Sequence, residues 1–331
     1  MPRAQSLAAL GEFGFLDRLL PTLKQRRDVE VGPGDDCAVV RCGGQRVLIT
    51  TDALVESVHF ERDWMAPRQL GRRSFLVNAS DIAAMGGHPT FCVVSVGVPP
   101  SYPVNDLTAL HAGIQAAARD LGAAVVGGNV SRADRVFISI TLLGAANHVV
   151  TRHGARVGDE LYVSGTLGDA ALGVRQLQRG QRRGAAIGRY REPPPRTAVG
   201  ALLAQRRIAS AMIDISDGLL QDLGHVAEAS RIGAEIDVEA LPYSAALRRL
   251  PAAEALQLAL RGGDDYELLC AVPRRRVSAL HRLRKRLGCP ITRIGRCVAA
   301  RKGIELLGAG REIRIDSGSG WDHFVTRVGD S

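Results

Sequence analysis

The sequence predicts a chain of two mixed α/β domains, and three observations lead there. Its 331 residues are 46% apolar, enough for a substantial interior and long for a single domain. Short β-type runs alternate with longer runs of helical apolar spacing. A polar and basic stretch, "NHVVTRHGA" at residues 147–155, separates two such series. The division falls between 1–148 and 149–331.

In the first unit, "RVLIT" at 46–50 reads as a strand ending at acidic Asp52. Residues 67–85 open on a proline suited to the first helical position and run as a helix past Asp81. "FCVVSVGV" at 91–98 is a strand, 104–122 a helix stopped by Gly122, and 135–144 a strand again. "VVGGNVS" at 125–131 reads as a flexible, anion-contacting turn. In the second unit, 159–165 starts another sheet, 169–180 is a helix and "REPPPR" at 191–196 a loop. A helix from Leu219, a strand at 266–272 and a basic helix at 277–287 complete the mixture. No strict internal repeat is present.

Composition narrows the function. Lys and Arg number 43 against 34 Asp and Glu, a formal charge of +9 that favours phosphate esters or polyanions. The basic runs at 178–196 and 281–288 lack interleaved aromatics, so a nucleic-acid platform is disfavoured. Six cysteines form no close pair, no leader-like segment opens the chain and no apolar run is of membrane-spanning length; a cytoplasmic protein is expected, away from membranes. The eight histidines are dispersed, without HExxH spacing. Neither a GxxxxGK[ST] loop nor an HRD and DFG pair occurs.

What stands out is acid beside small residues: "GPGDDCAVV" (32–40), "LITTDALVESVHF" (48–60), "NASDIAAMGG" (78–87), "DISDGLL" (214–220) and "GGDDYELL" (262–269). Carboxylate oxygens are hard ligands for magnesium, and glycine lets backbone approach a ligand. Together they favour a nucleotide-phosphate site bridged by magnesium. Asp214 and Asp217, three apart in an otherwise apolar run, repel unless a cation, donors or solvent compensate them. An ordinary turn with a helix cap is the alternative.

These stretches, with "GEFGFLDRL", "GARVGDELYVSG" and the terminal "WDHF", resemble in order and spacing the thiamine-monophosphate kinases, part of the wider ATP-binding family that includes aminoimidazole ribonucleotide synthetase. The resemblance implies that family's α/β architecture, a homodimer joined through the N-terminal domains, and MgATP-dependent phosphorylation of thiamine monophosphate in a cleft between domains. Activation of an amide oxygen, as in the purine-pathway relative, is the competing enzyme reading.

The resemblance also implies site residues. Asp36, Thr50, Thr51, Asp52, Asp81, Asp214 and Asp217 correspond to magnesium ligands, with Asp35 nearby and with Asp52, Asp81 and Asp217 closest to the chemistry. Gly128, Arg152 and Ser216 correspond to nucleotide contacts. Asn129 departs from the family's usual Asp, keeping an oxygen ligand but losing a charge. His59 and Asp264 fall on the substrate side, and Trp321 or Phe324 supplies an aromatic wall for the thiamine rings.

Overall fold

The period-two burial of His88–Val98 and Phe137–Ala145 requires a sheet with one covered and one open face. The computed structural model, which describes residues 6–23, 26–308 and 311–313, contains one. The first unit runs α1 (Leu7–Leu19), β1 (Val29–Val31), β2 (Ala38–Cys42), β3 (Gln45–Val55), α2 (Pro67–Ala84), β4 (His88–Val98), α3 (Val104–Asp120), β5 (Ala124–Arg132) and β6 (Phe137–Ala145). Its six strands lie in the order β1-β2-β3-β6-β4-β5, and only β4 and β5 pair in parallel.

Helix α2 starts because Pro67 sits in its first turn and the Gln69 side chain accepts from the Ala66 N–H. It packs on α3 at backbone contact. A Cβ on Gly71 would lie 1.9 Å from the Leu110 carbonyl oxygen, and one on Gly113 2.0 Å from that of Arg68, so glycine is required at both crossing points. The other face of the sheet keeps Phe91, Val93 and Phe137 exposed.

The second unit runs β7 (Glu160–Ser164), α4 (Asp169–Gln178), α5 (Ala185–Arg191), α6 (Thr197–Gln205), β8 (Ala211–Asp214), α7 (Leu219–Ser230), β9 (Ile232–Asp237), α8 (Ala252–Arg261), β10 (Leu268–Val272), α9 (Arg274–Leu283), β11 (Ile291–Ala299), β12 (Ile304–Gly308) and β13 (Arg311–Ile313). Its sheet has the order β13-β12-β9-β11-β7-β10-β8. Strand β10 is buried along its whole length, as an interior strand should be.

The two units share core. Leu177, Ile187 and Tyr190 from α4 and α5 pack with Phe60, Phe75 and Ile114 of the first unit, while Val199 and Leu203 of α6 join Ala83 and Met212. Helix α2 is therefore central: it lies under the first sheet and against the helices of the second unit. No described helix is long and apolar enough to cross a membrane.

Candidate active site

Four elements deliver carboxylates to one place. Asp35 and Asp36 occupy the turn before β2, Asp52 lies on β3, Asp81 near the end of α2, and Asp214 is the last residue of β8. Carboxylate oxygens of Asp36, Asp81 and Asp214 lie within 4.8 Å of one another. Thr50 Oγ1 donates to Asp81 Oδ2, and Ser80 Oγ donates to Asp214 Oδ2 at 2.5 Å. The Asn78 side-chain oxygen accepts from the Asp52 N–H at 2.9 Å, tying β3 to α2.

Burial of like charges shapes the electrostatics. Asp214 is pushed up to about 8, first by burial and then by the charge of Asp36, with the Ser80 hydroxyl acting the other way. Asp81 is driven well above the carboxylate range by burial, then by Asp52, Asp214 and Asp36. Asp36 is raised by burial although Arg152 opposes the shift, and Asp35 rises to about 6 through burial and then its neighbour Asp36. Arg152 spans these acids: Nη2 donates to Asp36 Oδ1 at 2.7 Å, and its backbone N–H donates to Asp35 Oδ2 at 3.1 Å.

Asp36 Oδ2 is buried and has no hydrogen-bond partner. A buried carboxylate oxygen with no donor, beside two more carboxylates, is an arrangement that a hard divalent cation satisfies and that ordinary packing penalises. The residues thus fit Mg2+.

Asp214 and Asp217 part company. The turn after β8 carries Ser216 and Asp217 into α7, where Asp222 Oδ2 accepts from the N–H groups of Asp217 and Gly218 at 3.2 and 3.1 Å. Asp217 groups with Asp222 and His225, not with the other acids, and the Gln221 side chain donates to its carboxylate at 2.8 Å. Asp222 and His225 were missed in the sequence, although an acid in the first turn of a helix opening on "DG" and a histidine three residues on share a helix face.

On the substrate side, the His59 Nδ1 accepts from the Val55 N–H at 3.0 Å, which leaves the proton of a neutral ring on Nε2. Asp264 pairs with Arg73 of α2 at 2.6 Å. Tyr190 Oη donates to the His59 carbonyl at 2.7 Å.

One expectation needs correction. The 125–131 segment is not a turn: it forms most of β5, an edge strand paired with β4 from Phe91↔Ala124 to Val98↔Arg132. Position 128 of that strand requires glycine, since a Cβ there would sit 2.0 Å from the Val94 carbonyl oxygen, and Gly128 lines a groove with His111 of α3. Thr51 and Asn129 lie on the other sheet face from Thr50 and Asp52. The strand pleat turns Thr51 to the open face, where Thr141 Oγ1 donates to it at 3.2 Å, while Thr50 and Asp52 take the other face. By register Asn129 shares the Thr51 face, across the sheet on β5. Trp321 and Phe324 lie outside the described residues.

Comparison with known proteins places this geometry. Residues 34–146 match the model of the "AIR synthase related protein, N-terminal domain", and 156–307 that of the C-terminal domain. The chain is 38% identical over 333 residues to the thiamine-monophosphate kinase of Salmonella typhimurium, covering 96% of this chain and 99% of that protein. A solved structure described as "AaThiL complexed with AMPPCP and TMP" superposes with a TM-score of 0.84 at 33% identity, covering 97% of this chain and 99% of the other. The thiamine-monophosphate kinase of Stenotrophomonas maltophilia gives a TM-score of 0.75 at 35% identity, over 92% and 98% of the two chains.

Proposed function

This chain belongs to the thiamine-monophosphate kinase family of AIR synthase related proteins, and on that premise we propose how it phosphorylates thiamine monophosphate with ATP to give thiamine diphosphate and ADP. The transfer is direct and in line. The acceptor is a phosphate oxygen already anionic near neutral pH, so no side chain need deprotonate it. What the protein must do is hold two phosphorylated reactants together against their mutual repulsion.

The observation that carries this reading is the buried, charge-crowded group of Asp36, Asp81 and Asp214 with its orphaned oxygen. Mg2+, when bound, would neutralise phosphate charge and orient the transferring group. Asp36, Asp81 and Asp214, with Asp52 and Thr50 beside them, are the residues proposed to hold it; Asp217 serves a separate position with Asp222 and His225. Arg152, held by Asp36 and Asp35, and Ser216 meet the nucleotide phosphates. The β5 edge at Gly128 and Asn129 lines the groove proposed for the rest of the nucleotide. His59 donates through Nε2 to the substrate phosphate, Asp264 orients the organic portion, and Trp321 or Phe324 covers the rings.

Two wider features belong to the same reading. The exposed Phe91, Val93 and Phe137 on the open sheet face are proposed as the homodimer surface, formed by the 1–148 domain, while 149–331 completes the cleft. The six free cysteines, four of them buried, fit a reducing cytoplasmic setting.

The test offers the purified protein MgATP with thiamine monophosphate and, separately, with the amide precursor of the purine-pathway reaction. Thiamine diphosphate and ADP in equal amounts are expected from the first and no turnover of the second. Turnover of the amide precursor alone would overturn the assignment.

A further inference from the structure

We propose that Arg73 is a positioning residue of the substrate pocket, holding Asp264 and, through Tyr190, His59 in register across the domain boundary. Arg73 is only 1% exposed and sits on α2. Its Nη2 donates to Asp264 Oδ1 at 2.6 Å and its Nη1 to the Tyr190 carbonyl. The guanidinium lies over the Tyr190 ring at 4.2 Å and faces the Tyr266 ring at 5.8 Å. Tyr190, braced edge-on by Trp64 with ring centres 5.9 Å apart, passes the constraint to the His59 carbonyl through its hydroxyl. One fork thus reaches the Asp264 side chain directly and the His59 backbone through Tyr190. The proposal rests on that assignment.

The Asp264 backbone cannot hold this position unaided. Asp264 and Tyr266 have φ of +70° and +50°, a region that non-glycine residues keep only when their surroundings impose it. Asp264 N–H donates to the Ser216 carbonyl at 2.7 Å and Tyr266 N–H to that of Ile215 at 2.8 Å, so the loop is stitched to the turn carrying Asp214 and Asp217. Its side chain is stitched by Arg73 to the helix carrying Asp81. Arg73 pays for this with a buried Nε–H that has no acceptor, a defect that an apolar side chain would avoid. Its value lies in where it puts Asp264. Eight residues separate it from Asp81, about 12 Å along the helix axis, so it governs the organic end of the acceptor and not the phosphates.

The experiment measures initial rates with thiamine monophosphate varied at saturating MgATP, and the reverse, alongside calorimetric binding of thiamine monophosphate, for wild type, Arg73→Met, Arg73→Lys, Asp264→Asn and Arg73→Met with Asp264→Asn. Arg73→Met should raise KM and Kd for thiamine monophosphate about tenfold or more, with KM for ATP within about twofold and kcat changed less than KM. Arg73→Lys, which keeps the charge but loses the fork, should recover part of the loss. The double variant should be no worse than the poorer single variant, because both changes break one linkage. Tyr190→Phe, which removes only the hydroxyl link to His59, should raise KM for thiamine monophosphate about two- to tenfold and serves if Arg73→Met does not fold. Equal shifts in both KM values, multiplying effects in the double variant, or unchanged affinity for thiamine monophosphate would overturn the positioning role. Arg73-dependent binding without any thiamine diphosphate would overturn the reaction instead and leave the positioning role standing.

Discussion

The two ends of α2 hold carboxylates in opposite electrostatic states. Near its C-terminal end, Asp81 meets Asp36 and Asp214 with their pKa values raised and one buried oxygen unpartnered. Toward its N-terminal half, Arg73 neutralises Asp264 and is itself enclosed by two tyrosine rings. The first region crowds more carboxylates than its one cation, Arg152, can offset. The second carries its own counter-charge, although the buried Arg73 Nε–H lacks an acceptor. A site that must gather two anionic phosphates and one organic ring system divides in this way: adaptable charge where phosphates and metal arrive, fixed geometry where shape is read.

The largest effect expected is on turnover at the acid end. Asp81→Asn or Asp52→Asn keeps side-chain volume and should lower kcat by about a hundredfold or more, with an unchanged far-ultraviolet circular dichroism spectrum. Near-normal turnover in a folded variant would break the comparison at its first term.

Stability should respond with opposite signs at the two ends. Asp264→Asn leaves Arg73 buried without its counter-charge and should cost about 1–3 kcal/mol, discounted for the one-third exposure of Asp264. Asp214→Asn removes one of several crowded charges and should raise the melting temperature of the magnesium-free protein, by about 2–4 °C for each kcal/mol relieved. Thermal unfolding of both variants without magnesium checks the signs, and a loss of stability in both would erase the distinction.

A smaller effect on the site is expected from the open sheet face. Phe91→Lys should shift the protein from dimer to monomer in sedimentation experiments while leaving the melting temperature within a few degrees, because Phe91 is already exposed in the single chain. An unchanged sedimentation coefficient would reject this face as the proposed dimer surface.

Much of this was legible in the chain. Helices α2 and α3 and strands β3, β4 and β6 follow from apolar period, Pro67 and Gly122, because local rules and burial agree there. Strand β5 was not, since a glycine pair in an exposed edge strand carries the marks of a turn and its pairing with β4 is tertiary. The short helices α5 and α6 were hidden by the basic and proline-rich segment around them. Asp36, Asp81 and Asp214 could be picked out by motif, but not their mutual approach. Arg73 reads as a surface arginine in "GRRS", and only partners 117 and 191 residues away bury it.

Magnesium titration followed by thermal unfolding at pH 6 and pH 8 tests the proposal that the acid end takes up Mg2+. Acids with folded pKa values raised above their unfolded ones stabilise the fold fully below about pH 4, and that contribution is lost as pH rises through about 6 for Asp35 and about 8 for Asp214. The magnesium-free protein should therefore be less stable at pH 8 than at pH 6, and Mg2+, competing with fewer protons, should raise the melting temperature more at pH 8. Arg73→Lys should keep that magnesium response and Asp36→Asn combined with Asp81→Asn should lose it. A response equal at the two pH values, or intact in the double acid variant, would contradict the account.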